Sequence, residues 1–128
     1  MKRLLVLMIL CAGKATFAED LPKECLGNYA GEMAAYTVMK NDMQLNIEKH
    51  DVRVGITTHE IAYTSGNIEL KGSYTFLKQS GTQYLIKAKL TNGKSVFYEI
   101  DLLWNKKERS LFLEGKNGEP DLILVKLD

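Results

Sequence analysis

The chain has 128 residues, of which 45% are hydrophobic and 26% are charged, and its formal net charge is +1. A chain of this length is expected to form one domain. Its near-neutral charge, without a long basic run, gives no electrostatic footprint for nucleic acid or for an anionic membrane surface, so these two classes of partner are not predicted.

The first 18 residues have the pattern of a secretory signal peptide. Two basic residues precede an apolar run from Leu4 to Ala12, and the small residue Ala18 comes before two acidic residues. This run is too short to span a membrane. We therefore expect cleavage after Ala18 and a mature chain without a membrane span, located in the periplasm or outside the cell.

Cys25 is the only cysteine after the predicted cleavage point, because Cys11 lies within the signal peptide. No disulfide can therefore form within one mature chain. Residues 19–26 are predicted to be an N-terminal tail, in which Cys25 is either an unpaired thiol or a site of pairing between chains.

From Gly27 to the end of the chain, apolar and polar residues alternate in segments of five to ten residues that are separated by turn-forming residues. This period of two is typical of β-strands with one buried face, and no segment has the apolar spacing of an amphipathic helix. The pattern predicts about nine strands over residues 27–128. It places Met33, Met43, Ile68 and Val96 on the buried face.

The clearest hairpin covers residues 82–104. Asn92 and Gly93 separate its two strands and are the usual residues of a two-residue type I′ turn. With Lys87 and Lys89 pointing outward, Tyr84 and the apolar residues in phase with it point inward. The two strands are therefore expected to be antiparallel neighbours.

An antiparallel meander of eight or nine strands predicts an all-β domain. Closure into a small up-and-down barrel would remove both exposed strand edges. A two-sheet β-sandwich produces the same alternation and is the alternative fold.

A glycine and an aromatic residue two positions later, Gly27 and Tyr29, lie at the start of the first predicted strand. With the meander that follows, they resemble the calycin group, and the lipocalins in particular, whose motif is Gly-x-Trp. The resemblance implies that Gly27 and Tyr29 close the barrel floor, with Lys126 of the last strand as a cation–π partner. Tyrosine stands here in place of the family's tryptophan.

A barrel of eight strands is either filled by its own side chains or holds one small ligand. Tyrosine and tryptophan combine a broad apolar surface with one polar group, which suits either interior. The first functional hypothesis is therefore an exported protein that binds a small apolar or amphipathic ligand. Its predicted ligand-binding residues are Tyr63, Tyr74, Tyr84, Tyr98 and Trp104.

Four apolar residues are predicted to point outward on adjacent strands: Leu85, Phe97, Leu103 and Phe112. An exterior patch of this kind is typical of a surface for a protein partner or for self-association. The second hypothesis is thus a protein-interaction module, for example an exported inhibitor of a hydrolase.

No pattern in the chain predicts catalysis. His50 and His59 lie at strand ends or turns, the strand carboxylates lie on the outer face next to lysines, and no nucleophile elbow or phosphate-binding loop is present. We expect no catalytic residue, no metal ion and no cofactor.

Overall fold

The computed structural model describes residues 21–116 and 118–127, so the predicted signal peptide lies outside the described residues. A short 3₁₀ helix, Lys23–Cys25, precedes ten β-strands. The strands are β1 (Gly27–Met33), β2 (Tyr36–Lys40), β3 (Met43–Ile47), β4 (His50–Ile56), β5 (Ile61–Ser65), β6 (Ile68–Lys78), β7 (Gln83–Thr91), β8 (Phe97–Asn105), β9 (Ser110–Leu113) and β10 (Leu122–Lys126).

Eight of these strands form a closed antiparallel barrel in the order β1, β4, β5, β6, β7, β8, β9 and β10, with β10 paired to β1. The predicted all-β barrel is confirmed, and the two-sheet sandwich is wrong. Closure leaves none of these eight strands with an unpaired edge. The remaining strands, β2 and β3, form a separate hairpin between β1 and β4.

The β2–β3 hairpin accounts for the main error in the sequence prediction. Met43 was expected in the barrel interior, but it lies on the hairpin and its side chain is 63% exposed. The hairpin alternates like a barrel strand, although Met43 and Leu45 are exposed and only Ile47 of β3 is partly covered. The period of two therefore indicates a strand, and it shows neither which sheet the strand joins nor whether its apolar face is covered.

Two further residues predicted to be buried are exposed, Ile68 and Val96. Ile68 begins β6 directly after a tight turn, at the end of the barrel. Val96 lies in a five-residue loop, residues 92–96, and not after the predicted type I′ turn, since Thr91 pairs with Phe97. The side-chain oxygen of Asn92 accepts hydrogen bonds from the backbone N–H groups of Lys94 and Val96, which stabilise this longer loop.

The middle of the barrel is filled by its own side chains. Inward-facing residues of every barrel strand meet there, and the largest of them have exposed fractions below 2%. Burial of this many large apolar side chains provides the main stabilising term of the fold. The fully buried set includes Tyr29, Ile61, Ile86, Leu90, Ile100, Leu102, Trp104, Leu111 and Leu124.

We call the end of the barrel at the start of β1 the floor and the opposite end the mouth. The 3₁₀ helix covers the floor and buries Cys25 completely, and Leu21 is buried beside it. The Tyr29 hydroxyl donates a 2.8 Å hydrogen bond to the Cys25 carbonyl. In the structure, part of the predicted tail therefore belongs to the barrel core.

Gly72 lies in β6 between β5 and β7, and the β7 backbone passes very close to it. A Cβ atom at this position would lie 1.7 Å from the carbonyl oxygen of Lys89. We expect Gly72→Ala to force β6 and β7 apart and to lower the free energy of unfolding by about 1–3 kcal/mol or more, as measured by urea denaturation. Gly81→Ala is the control, because its Cβ would meet nothing within 4 Å. Equal stability of the two variants would contradict this account of the strand contact.

Candidate ligand site at the barrel mouth

A pocket of about 490 Å³ lies at the mouth, above the filled core. This volume is within the range of small-molecule sites. The β2–β3 hairpin forms one side, the β5–β6 turn another, and the 92–96 loop and the β9–β10 connection complete the rim. The lining includes Tyr36, Ile47, His50, Tyr63, Ile68, Leu70, Val96, Tyr98 and Glu119.

Three tyrosines and one carboxylate dominate the chemistry of this pocket. The rings of Tyr63 and Tyr98 lie 6.2 Å apart between centroids and are tilted by 43°. The Tyr98 hydroxyl donates a 3.4 Å hydrogen bond to Oε1 of Glu119. Tyr36 reaches the pocket from the hairpin, so four separate parts of the chain bring these groups together: β2, β5, β8 and the β9–β10 connection.

The negative charge of Glu119 contributes to the raised pKa values of all three tyrosines. Burial is the main cause of the raised pKa of Tyr98, about 12, and the negative charge of Glu119 is the next cause. Burial is also the main cause of the raised pKa of Tyr36 and of Tyr63, and the charge of Glu119 contributes to both increases. A hydrogen bond with Ser65 lowers the pKa of Tyr63 and so opposes part of its increase. The carboxylate therefore lies within electrostatic range of every tyrosine in the pocket.

His50 is held in place at the rim. Its Nδ1 lies 2.9 Å from the Glu48 carbonyl oxygen and its Nε2 lies 2.9 Å from the Ser65 hydroxyl. Because a carbonyl only accepts, we assign the proton to Nδ1 and let Nε2 accept from Ser65. His59 is exposed in the β4–β5 loop at the floor, and no group of three or more potential metal ligands occurs within residues 21–116 and 118–127.

The residues predicted to bind a ligand are divided between the two ends of the barrel. Tyr63 and Tyr98 line the mouth pocket. Tyr84 and Trp104 pack against each other near the floor, with ring centroids 5.6 Å apart. The Tyr74 hydroxyl donates a 2.6 Å hydrogen bond to the carbonyl of Thr57 in the β4–β5 loop. The geometry thus brings only two of the five to the pocket.

Sequence reasoning missed Tyr36 and Glu119. Both lie outside the barrel strands, on the hairpin and on the β9–β10 connection. A partial signal for Tyr36 was available, because it lies opposite Ile47 at the base of a hairpin with apolar residues on one face. Nothing local to Glu119 indicates that it points toward the mouth.

The predicted floor residues Gly27, Tyr29 and Lys126 lie together at the floor. Lys126 pairs with Tyr29 across the β10–β1 seam, and its ammonium donates a 2.6 Å hydrogen bond to the Glu24 carbonyl. A Cβ on Gly27 would lie 3.0 Å from Cε of Lys126, so the glycine leaves room for the lysine side chain. The hydrogen bond holds the 3₁₀ helix on the floor, and the cation–π role of Lys126 stays a prediction.

Trp104 also contributes to the floor. Its indole N–H is fully buried and makes no hydrogen bond with the residues that the structure describes. It lies near the Tyr29 hydroxyl, where it opposes the large rise in the pKa of Tyr29 that burial causes. Tyr29 and Trp104 therefore fill this part of the floor with fully buried side chains.

The exterior residues form a different surface from the one predicted. Leu85 pairs with Leu103, and Leu103 pairs with Phe112. The same row continues to Leu77 on β6 and to Ile123 on β10, both of which are more than half exposed. We call these five residues the exterior row; it crosses five neighbouring strands and is about 19 Å long at the usual strand spacing.

Phe97 lies apart from the exterior row. It is six residues before Leu103 on β8, which places it about 20 Å away along the strand, near the mouth. Glu99 and Asp101 point outward between the two. Phe97 is 79% exposed, and these two acidic residues separate it from the exterior row.

The comparisons with known proteins gave no relative. No family model matches the chain, and no curated protein and no solved structure matches it. The closed antiparallel barrel of eight strands is compatible with a lipocalin-like architecture. Among the described residues, no helix is long and apolar enough to cross a membrane.

The buried thiol of Cys25 leads to a prediction about alkaline stability. Burial raises its pKa from 9.0 to about 12. As the pH rises, the unfolded chain therefore loses the thiol proton before the folded protein does. The stabilisation that comes from keeping the buried thiol protonated is complete below pH 9 and decreases as the pH rises toward 12. Buried tyrosines with raised pKa values, such as Tyr98, also make the folded protein less stable as the pH rises above 10.

We expect the free energy of unfolding, measured by urea denaturation, to fall between pH 9 and pH 10. Cys25→Ala should remove most of this decrease in the free energy of unfolding. The steeper decrease above pH 10, which the tyrosines cause, should remain. We also expect the native thiol to resist an aromatic disulfide reagent that labels it rapidly after unfolding. Rapid labelling of the folded protein would show that the floor is open.

Proposed function

We propose that this protein is an exported, non-enzymatic binding protein that holds one small apolar or amphipathic ligand in the mouth pocket. The observation that carries this proposal is the pocket of about 490 Å³, which lies at the mouth of a barrel whose middle is filled. The ligand is thus held at the rim by Tyr36, Tyr63 and Tyr98, and the deep interior serves as its support.

The lining has the composition of a ligand site. Apolar side chains such as Ile47 and Leu70 supply most of its surface, and a few polar groups converge on it from different elements. Tyr63 and Tyr98 lie on strands of the packed barrel, so two of these groups are held on a rigid scaffold, which reduces the entropy lost on binding.

The first 18 residues support export to the periplasm or beyond the cell, since they have the three parts of a signal peptide. The closed barrel, with Gly27 and Tyr29 at its floor, supports a lipocalin-like relationship. The non-enzymatic part of the proposal rests on the sequence, in which no nucleophile elbow or phosphate-binding loop is present.

Native mass spectrometry of the protein purified from its own host tests ligand binding. We expect an additional mass of a few hundred daltons that is released on denaturation. Val96→Trp should fill the pocket and abolish this mass, because Val96 lines the pocket from an exposed loop. Phe97→Trp is the matched control, since the neighbouring side chain points away from the pocket. A bare wild-type protein, or equal retention by both variants, would contradict the proposal.

A second candidate function, a protein-interaction role, is favoured by one observation, the exterior row. Five apolar side chains in direct register on neighbouring strands form a contiguous row on the outer face of the barrel. Such a surface suits a protein partner or a second copy of this chain.

The double variant Phe112→Ser with Ile123→Ser tests this role. We expect it to fold normally, because both side chains point outward, and to lose a partner that the wild type retains in pull-down, or to lose self-association in analytical ultracentrifugation. Phe97→Ser is the control, since it removes an exposed aromatic residue away from the row. Identical behaviour of all three proteins would remove this second function.

A further inference from the structure

We propose that the mouth pocket recognises an organic ammonium ion, with the cationic group beside Glu119 and against the rings of Tyr36, Tyr63 and Tyr98. This inference rests on the proposed function, because it names the ligand class of the same pocket. The ligand would be an amine or quaternary ammonium compound with an apolar body.

The first argument is the electrostatic character of the lining. Glu119 is its one carboxylate, and no lysine or arginine lines the pocket in the part of the chain that the structure describes. Glu119 forms no salt bridge with the described residues, and its oxygen accepts from the Tyr98 hydroxyl. A bound ligand that covers this carboxylate must compensate for its lost hydration, and a cation does so directly.

The second argument is the aromatic surface around this charge. The faces of phenol rings carry the negative part of the ring quadrupole and attract cations. Tyr63 and Tyr98 are tilted relative to each other and do not stack face to face. With Tyr36, three phenol rings line the same pocket as this carboxylate, and an alkylammonium group can be attracted by both.

The third argument excludes competing ligand classes. An anion would face Glu119 and the electron-rich rings without a compensating positive side chain in the lining. A hard divalent cation requires about six oxygen ligands, and the lining offers one carboxylate. Apolar residues such as Ile47, Leu70 and Val96 supply a surface that suits the hydrocarbon part of an amine.

Three probes with the same aromatic body and different head groups test the inference: phenethylammonium, phenethyl alcohol and hydrocinnamate. Binding is measured by isothermal titration calorimetry, and amide chemical shifts locate each probe. We expect the ammonium to bind at least about tenfold more tightly than the alcohol, and hydrocinnamate to bind most weakly. The chemical-shift changes should be confined to the mouth.

Variants separate the contributions of charge and ring. Glu119→Gln should weaken ammonium binding by about tenfold or more and leave alcohol binding unchanged. Glu108→Gln is its matched control, because it removes the same charge at the β8–β9 turn near the floor. Tyr98→Phe keeps the ring and should lower the affinity for the ammonium only a few-fold, whereas Tyr98→Leu removes the ring and should lower this affinity about tenfold. Thermal melting establishes that each variant is folded.

The outcomes distinguish this inference from the proposed function. If the alcohol binds as tightly as the ammonium and Glu119→Gln changes nothing, the ammonium inference is wrong and the pocket remains a ligand site. If the ammonium does not bind at millimolar concentration, the inference is wrong whatever the host-purified protein carries. A host-derived ligand that lacks basic nitrogen would then leave the proposed function intact. A host-purified protein without any ligand would contradict both the proposed function and the ammonium inference.

Discussion

Closure of the barrel depends on a short seam between its last and first strands. β10 and β1 share two register pairs, Val125 with Ala30 and Lys126 with Tyr29, whereas β1 and β4 share seven. Contacts at the floor compensate for this short pairing. Leu127 donates a backbone hydrogen bond to the Asn28 carbonyl, and the Lys126 ammonium holds the 3₁₀ helix. The seam and the floor therefore stabilise each other, and without them both strands would present free edges.

The closed floor determines where a ligand can bind. Because the Tyr29 hydroxyl is bonded to the Cys25 carbonyl and Trp104 is fully buried, the floor end is occupied by the protein's own side chains. The large aliphatic residues fill the middle; Tyr63 and Tyr98 line the pocket at the mouth, and the inward aromatics nearer the floor, Tyr74, Phe76 and Tyr84, are partly buried. A filled core and a ligand site, which the sequence presents as alternatives, thus occupy different heights of one barrel.

The period of two explains which features the sequence predicts and which it leaves open. Alternation assigns each residue to a face, and it correctly separates Leu85 and Leu103, which point outward, from Ile86 and Leu102, which are buried. It contains no information about height along the barrel axis. Tyr84 and Tyr98 are therefore alike in phase, and only the hairpin at Asn92 and Gly93 separates them, because it puts Tyr98 near the turn and Tyr84 far from it. Height depends on register, which here follows from a five-residue loop that the Asn-Gly pair alone does not predict.

The mouth pocket depends on a contact that involves no barrel strand. Gly118, with a φ of +91°, lies against β2, and a Cβ at this position would lie 3.3 Å from a methyl carbon of Val38. Glycine accommodates both the positive φ and the close approach. The next residue, Glu119, therefore comes close to Tyr36 of the same hairpin, and the carboxylate and the third ring enter the pocket together. Two irregular segments that lie far apart in the sequence thus provide the chemistry, and the barrel provides the rigid base on which they meet.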